Sequence, residues 1–143
     1  MWWHLAMCNP TVYRKQAEFN EQTAIAAKQG FPDWAVIMCF YAALHWVNDY
    51  AVQQQETQEL ESSGDNEGSL HTIRRSYVKK ISRKNKWRDL EDAYVFLFGV
   101  SMTARYLRGL EKLNRTAREH YSHNKDIVQK CFDELEVIKS RLS

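Results

Sequence analysis

The segment Asn114–Asp126, NRTAREHYSHNKD, holds the spacing in this chain that most directly suggests a reaction. Arg115 and His120 form an RxxxxH, and Arg118 and His123 form a second one that overlaps it. An imidazole can act as general base or acid on a ribose hydroxyl or leaving group, while a guanidinium stabilises the charge of the phosphorane. Such a pair would cut RNA without a metal. His120 and His123 also make an HxxH, which is half of a metal site. No well-placed carboxylate completes it, so neither metal nor cofactor is expected. The chain contains no glycine-rich phosphate loop, no GxSxG and no HExxH.

A second group combines polar side chains with apolar surroundings. Tyr41, His45 and Asn48 fall on one face of a helix that also carries Trp34, Ile37 and Leu44, so that face is expected to point inward. Further on, Tyr94, Ser101 and Arg105 share a face and Tyr106 follows. A buried arginine is costly unless it is paired or faces a cavity. One reading has His45, Arg105 and Tyr106 lining a pocket for a phosphate or a base. The other has His45 and Tyr94 simply hydrogen-bonding within the core.

The third feature is a charge asymmetry. From Glu56 to Glu67 there are five acidic residues and no basic one, and from Gly68 to Arg88 eight basic residues and no acidic one. Arg74, Arg75, Lys79, Lys80, Arg83, Lys84, Lys86 and Arg88 are interleaved with Tyr77 and Trp87. Cations bind phosphates by releasing counterions, and aromatics stack on bases. The competing reading is a solvated face paired with the acidic stretch before it. His71 and Arg74 make an HxxR at the head of the tract.

The elements that must position these groups are helical. Two prolines and five glycines in 143 residues leave few breaks. A first helix is expected over 12–29, closed by Gly30. A second starts at Pro32, with Asp33 suited to the helix dipole, and extends to about Glu59. Ser62–Gly68 reads as a loop. Helix three follows over 69–81, with 82–86 as a basic connector. Helix four covers 87–107 and ends near Gly109. The last helix carries Val128, Cys131, Leu135, Ile138 and Leu142 on one stripe. Its start is open: Asn114, Thr116 with Glu119 as a capping box, or Ser122.

One domain over residues 1–143 is expected, an all-α, up-and-down bundle of about five helices. The 44% apolar share supports a sizeable core. Cys8, Cys39 and Cys131 lack zinc or disulfide spacing and fit a reducing cytoplasm. The apolar run Trp34–Leu44 is about half of the ~20 residues a membrane span needs, so no membrane partner is expected. Five tryptophans, Trp2, Trp3, Trp34, Trp46 and Trp87, suggest a dimer.

FPDWAVIMCFYAALHWVNDY, the HxxR at His71 and Arg74, Ala93-Tyr94 and Ala104-Arg105-Tyr106 together resemble small bacterial proteins of the HEPN type. The resemblance covers the chain from about residue 11 onward. It implies an up-down helical bundle and a homodimer. Its further implication is a metal-independent endoribonuclease or toxin of a toxin–antitoxin or defence system, with an antitoxin-like partner. The family's RxxxxH then falls on Arg115 and His120 or on Arg118 and His123. Some members have lost catalysis, and here His45, His71, Arg74, Arg105 and Tyr106 resemble the subgroup's defining polar set. Three functions therefore compete. They are an RNA-acting protein of HEPN type, a non-catalytic binding module for nucleotide, nucleic acid or protein (through Arg74, Arg75 and the core polar set), and a structural helical dimer.

Overall fold

The structure, a computed structural model, describes residues 10–61 and 67–143. Trp2, Trp3, Cys8 and residues 62–66 of the expected Ser62–Gly68 loop lie outside the described residues, and Glu67 and Gly68, expected in that loop, already belong to a helix. Six α-helices form the bundle: α1 (Val12–Ala27), α2 (Pro32–Gln53), α3 (Glu67–Asn85), α4 (Arg88–Tyr106), α5 (Ala117–Ser122) and α6 (Lys125–Leu142). Short 3-10 turns occupy Thr57–Leu60 and Glu111–Leu113. Among the described residues there is no strand, as an all-α chain requires.

Each boundary that departs from expectation has a local cause. α2 stops at Gln53 and not near Glu59, because Gln55 turns left-handed at φ 59° and Glu56 N–H reaches back 2.8 Å to the Ala51 carbonyl. Residues 82–85 are helix and not connector, since Ile81 and Ser82 are both buried and hold the last turn of α3 against the core. The end of α4 is set by Leu107 at φ 57°, two residues before the expected Gly109. The sixth helix arises from a split: the Asn124 side-chain amide donates 2.7 Å to the His120 carbonyl and diverts the chain between α5 and α6. α5 starts at Thr116, whose hydroxyl accepts from Glu119 N–H at 3.1 Å while Glu119 accepts from Thr116 N–H at 3.3 Å. That capping box is one of the three starts considered for the last helix, but the helix that carries the stripe starts at Lys125 after Asn124, which is none of the three.

α2 is the central rod and packs against α1, α4 and α6. It is long and apolar enough to cross a membrane, with 72% of its apolar window buried inside the bundle. Its neighbours approach closely through alanines: Ala17 and Ala24 are the buried residues of α1. The stripe Val128, Cys131, Leu135, Ile138 and Leu142 of α6 is buried as its spacing requires. Burial drives the Cys131 thiol up to about 12, and Cys39 is raised further by the same cause, so both behave as small apolar groups. Asp49, fully buried on α2, ties down α1 by accepting 2.7 Å from Thr11 Oγ1 and 3.4 Å from Arg14 Nε. Some expected core positions face out: Trp34 is 52% exposed, Val12 70% and Phe19 60%. At the start of α2 the apolar face turns past the end of the bundle, and the two alanines already fill the seam with α1.

Candidate functional site

α3 and α4 run antiparallel, so that His71 and Arg75 of α3 stand opposite Phe98, Met102 and Arg105 of α4. Three mutually tilted rings cluster between them, with Phe40 fully buried beneath. Phe40 of α2 lies 5.6 Å from Phe98, and His71 lies 5.8 Å from Phe40 and 5.7 Å from Phe98. A guanidinium sits over each side. The Arg75 group is 5.4 Å above Phe98, and that of Arg105 is 5.5 Å above Phe40.

Arg105 is held from three directions. Its Nη1 donates to the Tyr41 hydroxyl at 2.9 Å, its Nη2 to Ser101 Oγ at 3.3 Å and its Nε to the Ser101 carbonyl at 3.4 Å. The guanidinium also lies 5.2 Å from the Tyr106 ring, which is 59% exposed. All of these partners are neutral. Among the described residues neither Arg105 nor Arg75 has an ion pair, and no carboxylate lines their shared cleft of about 300 Å³. Two positive charges without a counter-charge among the described residues that line the cleft can accept hydrogen-bonding anions.

The other half of the expected polar set is elsewhere. The His45 ring stacks on Tyr13 at 6.1 Å, and its Nδ1 lies 3.4 Å from the Asn48 amide. Asn48, 4% exposed, accepts from Arg74 Nε at 3.1 Å. His45 therefore joins Asn48 and Arg74 and does not line the cleft with Arg105 and Tyr106. Burial, and then the Arg74 charge, lower its pKa below 6.5. Arg74 points away from its neighbour Arg75 and reaches a separate hollow with Tyr13 and Thr57. Tyr94 does not hydrogen-bond in the core: it is 1% exposed and its hydroxyl has no hydrogen-bond partner.

The basic tract divides by the same logic. Lys80 pairs with Glu59, which raises its pKa, and the Tyr77 hydroxyl donates 3.1 Å to Glu56. The acidic stretch thus neutralises one part of the tract. Arg75 and Lys79 remain exposed and without an ion pair among the described residues.

None of Arg115, Arg118, His120 or His123 lines the α3/α4 cleft. Arg115 precedes α5, and Arg118 is engaged by Asp33 at 3.2 Å and lies 4.6 Å over Phe31. His123 is the exposed C-cap of α5. His120 packs edge-on to Tyr121 at 4.8 Å, and its buried Nδ1 has no hydrogen-bond partner. Burial and then the Arg115 charge lower its pKa. Of the two frames, that of Arg118 and His123 has its arginine committed to Asp33. No group of three or more metal-ligating side chains occurs among the described residues.

Sequence reasoning named Tyr41 in the core polar set but missed Phe98 and Met102 as cleft residues and Phe40 as the buried ring beneath them. Phe98, Met102 and Arg105 follow an i, i+4, i+7 spacing that would have placed them on one face of α4.

No protein-family model matches this chain, and neither the curated proteins nor the solved structures provide a match.

Proposed function

We propose that this protein is an RNA-acting module that holds single-stranded RNA in the cleft between α3 and α4. The observation that carries the reading is the pair of guanidiniums, Arg75 and Arg105, over the Phe98 and Phe40 rings, with no carboxylate among the described residues that line this cleft. Phosphate oxygens accept from guanidinium forks, and an exposed ring such as Tyr106 stacks on an unpaired base. A duplex keeps its bases stacked and out of such a cleft, which favours a single strand. The resemblance of the sequence to HEPN proteins points to the same class of ligand.

The test is fluorescence anisotropy with a labelled single-stranded RNA. Binding should weaken with added salt and fall at least tenfold for Arg75→Glu or Arg105→Ala. Affinity indifferent to salt and to both substitutions would remove the cleft from the function.

A second reading, metal-independent cleavage by Arg115 and His120, is favoured by one observation. Burial, and then the Arg115 charge, favour the neutral form of His120, the form a general base uses. Purified protein with RNA in EDTA tests it. Cleavage lost in an Arg115→Ala, His120→Ala variant but kept in Arg118→Ala, His123→Ala would establish this frame. Intact RNA in every case would leave a binding module. The homodimer and the antitoxin-like partner belong to this reading, and light scattering of the purified protein addresses the dimer.

A further inference from the structure

The α3/α4 cleft brings Arg75 and Arg105 to one hollow of about 300 Å³. A water takes ~30 Å³ in the liquid, so a hydrated phosphate fits there. The donors left for it can be counted, because a guanidinium carries five N–H groups and no acceptor. Arg75 is exposed and donates no hydrogen bond among the described residues, so its whole fork is open. Arg105, half-buried, spends Nε on the Ser101 carbonyl, one Nη1 hydrogen on Tyr41 and one Nη2 hydrogen on Ser101 Oγ. A second hydrogen remains on Nη1, and Nη2 otherwise faces only the weak acceptor Met102 Sδ at 3.4 Å. Both residues thus keep donors as well as charge.

The surroundings place the anion. Glu91 lines the adjoining hollow, which also contains Arg75, and repels a phosphate on that side. No carboxylate lines the hollow on the Arg105 side among the described residues. A phosphate bound by Arg75 is therefore drawn toward Arg105.

Charge matching then selects among phosphates. An internal phosphodiester of a strand carries one negative charge and leaves one of the two guanidiniums without a counter-charge. A phosphate monoester carries about −1.5 to −2 at pH 7 and offers three oxygens as acceptors. It balances both cations, and its oxygens can take hydrogen bonds from two forks at once.

We infer that the cleft binds the terminal phosphate monoester of an RNA strand between Arg75 and Arg105, and so recognises a strand end. This inference rests on the RNA reading above and names the part of the RNA that occupies the site. A 5′ and a 3′ monoester share the chemistry, and the experiment separates them.

The experiment is calorimetric titration of the full chain at low salt and about pH 7.5, where the monoester is close to a dianion. One short RNA sequence is used with a 5′-phosphate, with a 3′-phosphate, with hydroxyls at both ends, and with each terminal phosphate as its methyl ester. A monoester at one of the ends should bind about tenfold or more tightly than the hydroxyl form, the effect of added charge-assisted hydrogen bonds. Its methyl ester keeps the phosphorus and oxygens, has one charge fewer and should lose most of that gain. Arg75→Gln should reduce the ratio to less than about threefold. Lys79→Gln removes the same charge from α3 outside this hollow and should leave the ratio at the parent value. Both positions are exposed, so both variants should melt with the parent. Equal affinity for phosphate and hydroxyl ends, a methyl ester that binds as well as the monoester, or the same loss of ratio in Lys79→Gln would overturn the inference and leave a site for internal phosphates. Inorganic phosphate that binds as tightly as the phosphorylated strand, or no binding of any RNA, would overturn the RNA reading itself.

Discussion

Arg105 Nη1 donates a 2.9 Å hydrogen bond to the Tyr41 hydroxyl, joining α4 to the central helix α2 directly beneath the cleft. The same tyrosine ring lies 5.4 Å from the Arg105 guanidinium, so the residue both supports and orients the charge. An arginine held by neutral partners keeps its full charge for an incoming phosphate, and its entropy of ordering is already spent.

Tyr41→Phe should therefore loosen Arg105 without removing it. RNA affinity is expected to fall about three- to tenfold, the equivalent of one hydrogen bond. The melting temperature should drop by less than about 4 °C. Anisotropy and thermal denaturation of the same preparation check both halves.

Arg75 and Arg118 should differ in their salt signatures. For a single strand, each phosphate contact contributes about −0.7 to the slope of log affinity against log salt. Arg75→Ala should make the slope shallower by about that amount, because Arg75 is without an ion pair. Arg118→Ala should leave it unchanged, because Asp33 engages that guanidinium at 3.2 Å. Titrations at four salt concentrations distinguish the two.

Asn48 is 4% exposed, faces the His45 ring at 3.4 Å and accepts from Arg74 at 3.1 Å. Asn48→Ala leaves the Arg74 Nε donor without that partner and should destabilise the fold by about 1–3 kcal/mol. Urea denaturation monitored by circular dichroism measures it. The Arg75–Arg105 cleft is lined by other residues, so RNA binding by the folded fraction should persist.

The pH dependence of stability follows from His45 and His120, both with a folded pKa below the ordinary 6.5. The unfolded chain then takes up protons at a higher pH than the folded one. Stability from these groups is complete above pH 6.5, falls as the pH drops below it, and is fully lost below the folded pKa values. Urea midpoints should decline from pH 7 toward pH 5. His45→Gln combined with His120→Gln should flatten that decline. An unchanged slope in the double variant would mean that other groups carry it.

The Thr116 cap can be tested on its own. Thr116→Ala removes the acceptor for Glu119 N–H and should cost about 1 kcal/mol. The bound Thr116 groups hold the Glu119 carboxyl below its usual range, so the effect should shrink in acid as that carboxylate protonates. Chemical denaturation at two pH values measures the difference.

Much of the fold was legible in the residues because burial and helical period are local properties. The stripe Val128–Cys131–Leu135–Ile138–Leu142 needs no knowledge of its partner to be read as a core face, and all five residues are buried. Pro32 and Asp33 marked the start of α2, whereas Thr116 with Glu119, one of three starts left open for the last helix, caps the separate helix α5. Boundaries that depended on distant contacts were not legible. Ser82 and Asn85 look like connector residues, yet Ser82 is 2% exposed because the core accepts the last turn of α3.

The site was legible as a list of candidates and not as a grouping. Residue type and spacing by themselves marked His45, His71, Arg74, Arg75, Arg105 and Tyr106, since imidazole, guanidinium and phenol stand out among apolar neighbours. Only the tertiary structure decided which of them meet. α3 crosses α2 while running antiparallel to α4, which turns Arg74 toward Asn48 and leaves Arg75, its next residue, over Phe98. Successive helical residues diverge by about 100°, so adjacent arginines must face different neighbours. The identity of those neighbours is a fact of packing that no single strand of sequence contains.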